Sequence, residues 1–279
     1  MNAYWMLQEI HANIDDSTES HWSDGELMRK LNMSYSKAFR TLLQSSGDQF
    51  VKKTTLTPSA SLITLPSDFM KFVSMEEVSS GIPIPLEGTV RERRVDRGSN
   101  NSLTMGWIRA FFVGDTIEVN QDNYETQVYL WYTYRIPALH AGTAGSQTAA
   151  TLLHLDSSNY PNRNDDYYNL RGVEVVDGAG TGIVDTITDY DGTTMIATIT
   201  GTPGSGDHYG TTSQLPVEAD EFIIMDATMS ALAKPSAAFD TNYFQYMMTR
   251  WKDSKREWLD WIASRKDDNL TVRITEDLY

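Results

Sequence analysis

The sequence predicts an α+β protein. A helical bundle formed by the N- and C-terminal helices carries an inserted antiparallel β region and an additional β module. Three observations point to this. Apolar residues recur at three- and four-residue steps near both ends, the mark of one buried helix face. Between them the period shortens to two, in β-branched runs broken by proline and serine. From about Ala138 to Leu215 the composition turns to threonine, glycine and aspartate.

In chain order, Met6, Leu7, Ile10 and Ile14 predict a short first helix. "SDGE" at Ser23–Glu26 is a capping box that opens a second. Leu27, Leu31, Tyr35, Ala38, Phe39, Leu42 and Leu43 form its apolar face, and Gly47 is its expected stop. From Phe50 short strands follow, split at Pro58, Ser59 and Pro66, with a hairpin turn at Gly114-Asp115. In "TQVYLWYTYRI" both faces are bulky, so this strand is expected to be buried on both sides. "PALHAGTAGSQTAATL" reads as a junction, making 138–216 an inserted β-rich module and 1–137 with 217–279 the core. "VEADEFIIMDATMSALAK" returns to helix, stopping near Pro235. A last helix of roughly 27 residues follows, capped by Asp240, with Tyr243, Phe244, Met247, Trp251, Trp258 and Ile262 in its apolar row. Trp258 and Trp261 do not fit one narrow stripe, which predicts a second buried face and packing against a neighbouring subunit.

Composition excludes several function classes. The 279 residues include no cysteine, which removes disulfides, thiolate metal sites and cysteine nucleophiles and fits assembly in a reducing cytoplasm. The 23 basic and 38 acidic residues leave a net charge of −15, a field that repels nucleic-acid phosphates. Sequence-specific DNA binding is therefore not expected. Arg91, Arg93, Arg94 and Arg97, interrupted by Glu92 and Asp96, read as a solvated face or as partner salt bridges. No apolar run is long enough to span a membrane. The first residues, "MNAYWMLQEIHANIDD", read as free of a secretory leader.

Candidate chemistry is sparse. The "GAGTG" cluster at Gly178–Gly182 lies between two strand patterns, whereas a dinucleotide or phosphate cradle needs a following helix. Its glycines, like Asp191-Gly192, are expected to make turns. His11, His21, His140, His154 and His208 lack ligand spacing. "DYDG" with Asp165 and Asp166 lacks the terminal glutamate of a calcium loop. Ser205 in "GTPGSGD" lacks the strand and helix of a nucleophile elbow. No catalytic residue, cofactor or metal is expected.

The order of elements then becomes informative. "ELMRKLNMSYSKAFRTLLQSSGDQF", followed by "TTLTPSASLITLPSDFMKF" with its Leu65–Phe69 string "LPSDF" and by a C-terminal helix pair, resembles the head-to-tail adaptor (connector) proteins of short-tailed phages. The resemblance spans about residues 20–90 and 217–265. It implies a non-enzymatic virion protein at the head–tail junction, assembled in the host cytoplasm. Such a protein forms a ring of twelve copies beneath the portal, continues the channel for double-stranded DNA, and offers a platform to tail, nozzle and fibre proteins. A carbohydrate-binding tail protein, with Tyr160, Tyr167 and Tyr168 near "PNRNDD", and a peptidoglycan hydrolase using two carboxylates are the alternatives.

Three expectations complete the reading. The charge predicts a chain that is mainly monomeric until a template orders the ring. The 138–216 module is expected to be an independently folded decoration. Leu270, Val272 and Ile274 alternate with Thr271, Arg273 and Thr275, predicting a terminal strand after a helix stop at Asn269. That strand, with Trp258 and Trp261, is the expected portal- or subunit-binding site; the resembling adaptors also grip the portal with C-terminal extensions.

Overall fold

The computed structural model describes residues 1–15, 21–45, 50–87, 108–120, 124–146, 149–233 and 240–276, with only the backbone for 266–276. It is α+β, with four α-helices and several antiparallel sheets among these residues. The chain divides into two compact units, Gly47–Ile136 and a second made of Met1–Ser46 with Pro137–Tyr279.

In the larger unit, helix α1 spans Ala3–Ile14 and α2 spans Asp24–Ser45. Asn2 caps α1 by accepting from the Trp5 amide at 3.0 Å. The capping box of α2 forms as its sequence predicts: the Glu26 amide donates to Ser23 Oγ at 3.3 Å, and the Ser23 amide reaches Glu26 at 3.5 Å. Helix α3, Asp220–Leu232, packs against α1 and α2. Its apolar residues occur on all sides, with Phe222, Ile223, Ile224, Met225 and Ala227 buried, as suits a helix enclosed by others. Helix α4, Thr241–Glu276, packs on α3 and begins at the expected cap: Asp240 Oδ1 accepts from the amides of Asn242 (2.8 Å) and Tyr243 (3.3 Å).

The smaller unit contains β1 (Val51–Leu56), β2 (Leu62–Thr64), β3 (Phe69–Glu77), β4 (Ala110–Val113), β5 (Thr116–Val119) and β6 (Val128–Tyr134). They form two three-stranded sheets, β1-β6-β3 and β2-β5-β4. Gly114, at φ 61°, turns the β4–β5 hairpin in the left-handed region that glycine tolerates. Strand β6 is less enclosed than its bulk predicts. Val128, Leu130 and Tyr132 are buried, but Tyr129 and Trp131 are half-exposed. Lys53, opposite Trp131 on β1, covers them with its ammonium 3.4 Å from the Tyr129 ring centre.

The remaining strands belong to the larger unit: β7 (Ala141–Thr143), β8 (Leu152–His154), β9 (Gly172–Val175), β10 (Val184–Thr186), β11 (Asp189–Asp191), β12 (Ile196–Thr198) and β13 (His208–Thr211). They form the sheets β10-β9-β13-β7 and β11-β12-β8 around Leu153, Leu155, Tyr168, Val173, Tyr190 and Tyr209. The chain divides elsewhere than the expected boundaries at 138 and 216. Segment 138–216 joins the helices, and 47–136 is the second unit. The reason is packing. Strands β7 and β13 pack on α1, Asn2 bridges to Thr212, and Asn32 of α2 exchanges two hydrogen bonds with the Leu139 backbone at 2.7 and 2.9 Å.

The C-terminus also departs from the sequence pattern. Residues 270–275 continue α4 rather than forming a strand, and Asn269 does not stop the helix. Extending an existing helix adds one hydrogen bond per residue fixed. An unpaired strand would leave its backbone without partners, and alternation over three positions does not outweigh that difference. The expected stops at Gly47 and Pro235, and the arginines at 91, 93, 94 and 97, lie outside the described residues.

Candidate assembly surface

Helix α4 carries the tryptophans that the sequence nominates. Trp258 is 1% exposed, and Trp261 stacks on it at 5.1 Å with 14° between the rings. The two lie one turn apart and form a single stacked pair, so no second buried face is needed to accommodate both. Trp261 is the more accessible member, with the Arg265 guanidinium 4.7 Å from its centroid. Leu270, Val272 and Ile274 lie on the helical extension. On a helix, Leu270 and Ile274 are one turn apart, while Val272 falls roughly 200° from Leu270. The three therefore do not share a face as they would on a strand.

The helical end of the larger unit is organised by a carboxylate that the sequence reading passed over. Asp226, inside the apolar run "FIIMDATM", is 7% exposed. It accepts from Ser34 Oγ (2.9 Å), Lys37 Nζ (2.6 Å) and Trp251 Nε1 (3.0 Å), tying α2, α3 and α4 together. A charged residue amid buried apolar neighbours is itself a readable signal, because such a group is buried only when partnered. At the start of α3, Asp220 accepts from the N-terminal ammonium at 2.7 Å. Burial raises its carboxyl above the ordinary value, against the pull of that ammonium.

The "LPSDF" string has a local structural role. The Phe69 amide donates to the Pro66 carbonyl at 2.9 Å, closing a turn. Asp68 then accepts from Tyr132 Oη (2.7 Å) and Lys52 Nζ (3.0 Å), linking the start of β3 to β6 and β1. Burial first, and the Asp68 carboxylate second, raise the Tyr132 phenol well above its ordinary value.

Glycine-rich segments also resolve into turns. "GAGTG" lies between β9 and β10 as a short 3-10 turn at Gly178–Gly180, with Gly178 at φ 75°. The Asp207 carboxylate accepts from the amides of Ala179 (3.0 Å), Gly180 (2.6 Å) and Gly204 (2.7 Å). That nest of amides is thus filled by the protein's own carboxylate. Gly192 meets the sequence expectation differently: it stays out of the left-handed region, and a Cβ there would fall 2.3 Å from the Arg163 carbonyl. Asp165 and Asp191 accept from the amides of Gly192, Thr193 and Thr194.

The histidines differ in setting. His11 pairs with Asp24 at 2.7 Å and His208 with Asp177 at 2.6 Å. His140 is buried against Tyr209, whose hydroxyl lies 3.0 Å from its Nδ1. Among the described residues, no group of three or more histidines and carboxylates is arranged to hold a metal ion. No helix of the described residues is long and apolar enough to cross a membrane.

Of the aromatic rings that would serve carbohydrate stacking, Tyr160 is 65% exposed. Tyr168 is buried against Tyr190, and Tyr167 accepts from the Ala138 amide at 2.9 Å. They do not form an exposed platform. Among the described residues, the buried Asp207 and Asp226 are occupied by structural donors, and Asp220 accepts from the N-terminal ammonium through one oxygen.

Comparison with known proteins adds one positive finding. The family described as SU10 adaptor protein matches residues 1–171, from α1 through the smaller unit to the start of β9. No curated protein matches the chain. A match over more than half of the sequence, on a fold with the helix, β and helix order described above, makes this chain a member of the SU10 adaptor protein family, consistent with a phage head-to-tail adaptor.

Proposed function

We propose that the protein is a non-enzymatic structural part of the virion of a short-tailed phage, forming a ring of twelve copies beneath the portal. The ring continues the DNA channel and carries tail, nozzle and fibre proteins on its far side. The family match over residues 1–171 carries this reading. The net charge of −15 supports the channel role, because a wall rich in carboxylates offers passing DNA no phosphate neutralisation and hence little friction. Assembly takes place in the host cytoplasm, on a portal template that overcomes the mutual repulsion of the subunits.

The portal contact is assigned to the end of α4. At 36 residues the helix is about 54 Å long, against about 20 Å for the 13-residue α3 on which it packs. It therefore outruns α3 and presents Leu270, Val272 and Ile274 beyond it. Trp258 supports the more accessible Trp261 at the base of this extension. The docking mode on a helix is insertion of one face, here the side of Leu270 and Ile274, into a groove of the partner, and not strand addition; Val272 falls on the other side. Electron microscopy of the purified protein mixed with its portal tests the function: a ring beneath the portal is expected, and unbound portals would refute it. Truncation after Asp268 tests the grip. The truncated protein should stay folded, losing only the helical signal of the residues removed, and should lose portal binding; undiminished binding would remove the α4 end from the interface.

A further inference from the structure

Two surfaces of the larger unit are complementary in charge. On α2, Arg29, Met33, Ser36 and Arg40 recur at steps of four, three and four, so they form one outward stripe. Met33 is 73% exposed. The stripe lines a groove of about 790 Å³, walled by Tyr160, in which no carboxylate of the described residues takes part. Lys37, also in the groove, is held by Asp226. Arg29 lies over the Tyr160 ring at 5.1 Å, and neither Arg29 nor Arg40 has a carboxylate partner among the described residues. Arg29 and Arg40 are about 16 Å apart along the helix axis. In a chain with a net charge of −15, a groove of this kind is an outlier.

The second surface is a groove of about 610 Å³ lined by Glu9 of α1, by Val217 in the turn before α3, by Asp220, Glu221 and Ile224 at the start of α3, and by Arg250 of α4. Val217 is 70% exposed. Asp220 is engaged by the N-terminal ammonium and Glu221 by Arg250 at 3.5 Å. Glu9, and Glu218 beside Val217, have no cationic partner among the described residues and are exposed. Among the described residues, two carboxylates without a cation thus accompany an exposed valine, where two guanidiniums without a carboxylate flank an exposed methionine.

The two surfaces lie on different sides of α3. Phe222, Asp226 and Ser230 face α2, through Lys37, Ser34 and Lys30. Glu221 and Ile224 fall roughly 140–160° further round the helix at 100° per residue. Each surface is poorly suited to its own kind, since like charges would meet. Each fits the other on a second copy.

We infer that neighbouring copies join head to tail, the Arg29–Met33–Arg40 groove of one receiving the Glu9–Val217–Glu218 surface of the next. A heterologous contact of this kind propagates in one sense and closes into a ring when the rotation permits. The inference rests on the proposed multi-copy ring and names its subunit interface. The apolar parts of the α2 groove, Met28, Met33 and Tyr160, suit an inserted side chain and not a DNA phosphate. The charge pairs sit at the rim, where they set register and encounter rate more than affinity.

The chain has no cysteine, so disulfide trapping reads this interface directly. A Met33→Cys, Val217→Cys double variant is oxidised at high concentration and low salt, both alone and mixed with the portal. A ladder of dimers, trimers and larger species is expected in at least one condition. Mixing the two single variants should stop at dimers, and Met33→Cys mixed with Leu170→Cys, another exposed site, should give little product. Arg29→Glu with Arg40→Glu should erase the ladder, as should Glu9→Lys with Glu218→Lys. Mixing these two charge-reversed proteins should restore it, because they match only in alternation. Trapping no better than the Leu170→Cys control in both conditions overturns the interface, as does a ladder indifferent to charge reversal. DNA binding that falls with the arginine substitutions while no ladder forms would assign the groove to DNA and also overturn it. A portal-bound ring without the ladder sinks the interface and leaves the proposed function standing; a ladder without portal binding does the reverse.

Discussion

His140 is the residue whose environment most affects its chemistry. Burial pushes its imidazole from the ordinary 6.5 down to about 4, and the nearby Asp156 carboxylate only partly offsets this. The ring stacks on Tyr209 with centroids 5.8 Å apart, and its Nε2 has no hydrogen-bond partner among the described residues. The folded chain therefore refuses a proton that the unfolded chain accepts between about pH 6.5 and 4. The stabilisation is fully present above pH 6.5, declines as pH falls through that window, and is exhausted below the folded value. A shift of this size corresponds to about 3 kcal/mol. Asp185 acts lower. Hydrogen bonds from Thr200 and Gly201 hold its carboxyl at about 2, so its contribution is lost only as pH falls below the ordinary carboxylate range. His140→Phe should flatten urea-unfolding stability between pH 6.5 and 4 while leaving the decline below pH 4. An unchanged slope in the upper window would show that other groups control it.

Among the elements, those specified by local chemistry were legible in sequence and those decided by tertiary partners were not. The Ser23–Glu26 capping box, the Asp240 cap and the Gly114-Asp115 hairpin depend on residues a few positions apart, and each occurs as read. The strand expected at 270–275 does not, because three alternating apolar residues carry no information about whether a pairing partner exists. Attachment of β13 to α1 was equally invisible. It depends on Gly210, where a Cβ would fall 2.5 Å from the Tyr4 amide nitrogen, a backbone atom that cannot swing aside. Nothing in a glycine's immediate neighbours reveals that a helix lies against it. Gly210→Ala should therefore separate α1 from β13 and lower stability by about 1–3 kcal/mol, the usual range for overpacking. Gly182→Ser is a useful contrast, since no atom lies within 4 Å of a Cβ there, although its φ of 86° adds local strain. Chemical denaturation measures both. Loss at Gly210 accompanied by hydrogen exchange in α1 would locate the damage at the contact, whereas intact α1 protection would contradict it.

At the scale of the whole molecule, composition and packing divide the chain at different places. The threonine- and glycine-rich stretch differs from the helices in surface chemistry, yet it shares their core. Arg171 makes the point. It is fully buried beyond the end of the α2 sequence by more than a hundred residues, and its Nη2 donates to Tyr35 Oη of α2 at 3.3 Å. The same hydroxyl accepts from the Gln214 amide at 3.1 Å. Segment 47–136, by contrast, has its own apolar cluster of Ile63, Met75, Ile84, Ile117, Val119, Val128, Leu130 and Tyr132. About 90 residues with a separate core meet the ordinary requirements of an autonomous domain. Two excisions distinguish the candidates. Residues 47–136 expressed alone should show a β-type circular dichroism spectrum and unfold cooperatively in urea. Replacing 138–216 with a short linker in the full chain should instead melt the helices, because α1 loses β7 and β13, α2 loses its partners at Leu139 and Arg171, and Tyr35 is left with an unpaired buried hydroxyl. Retained helical signal with a sharp transition in the second protein would show that the β-rich segment is a dispensable decoration after all. Failure of 47–136 to fold alone would show that its core depends on the rest of the chain.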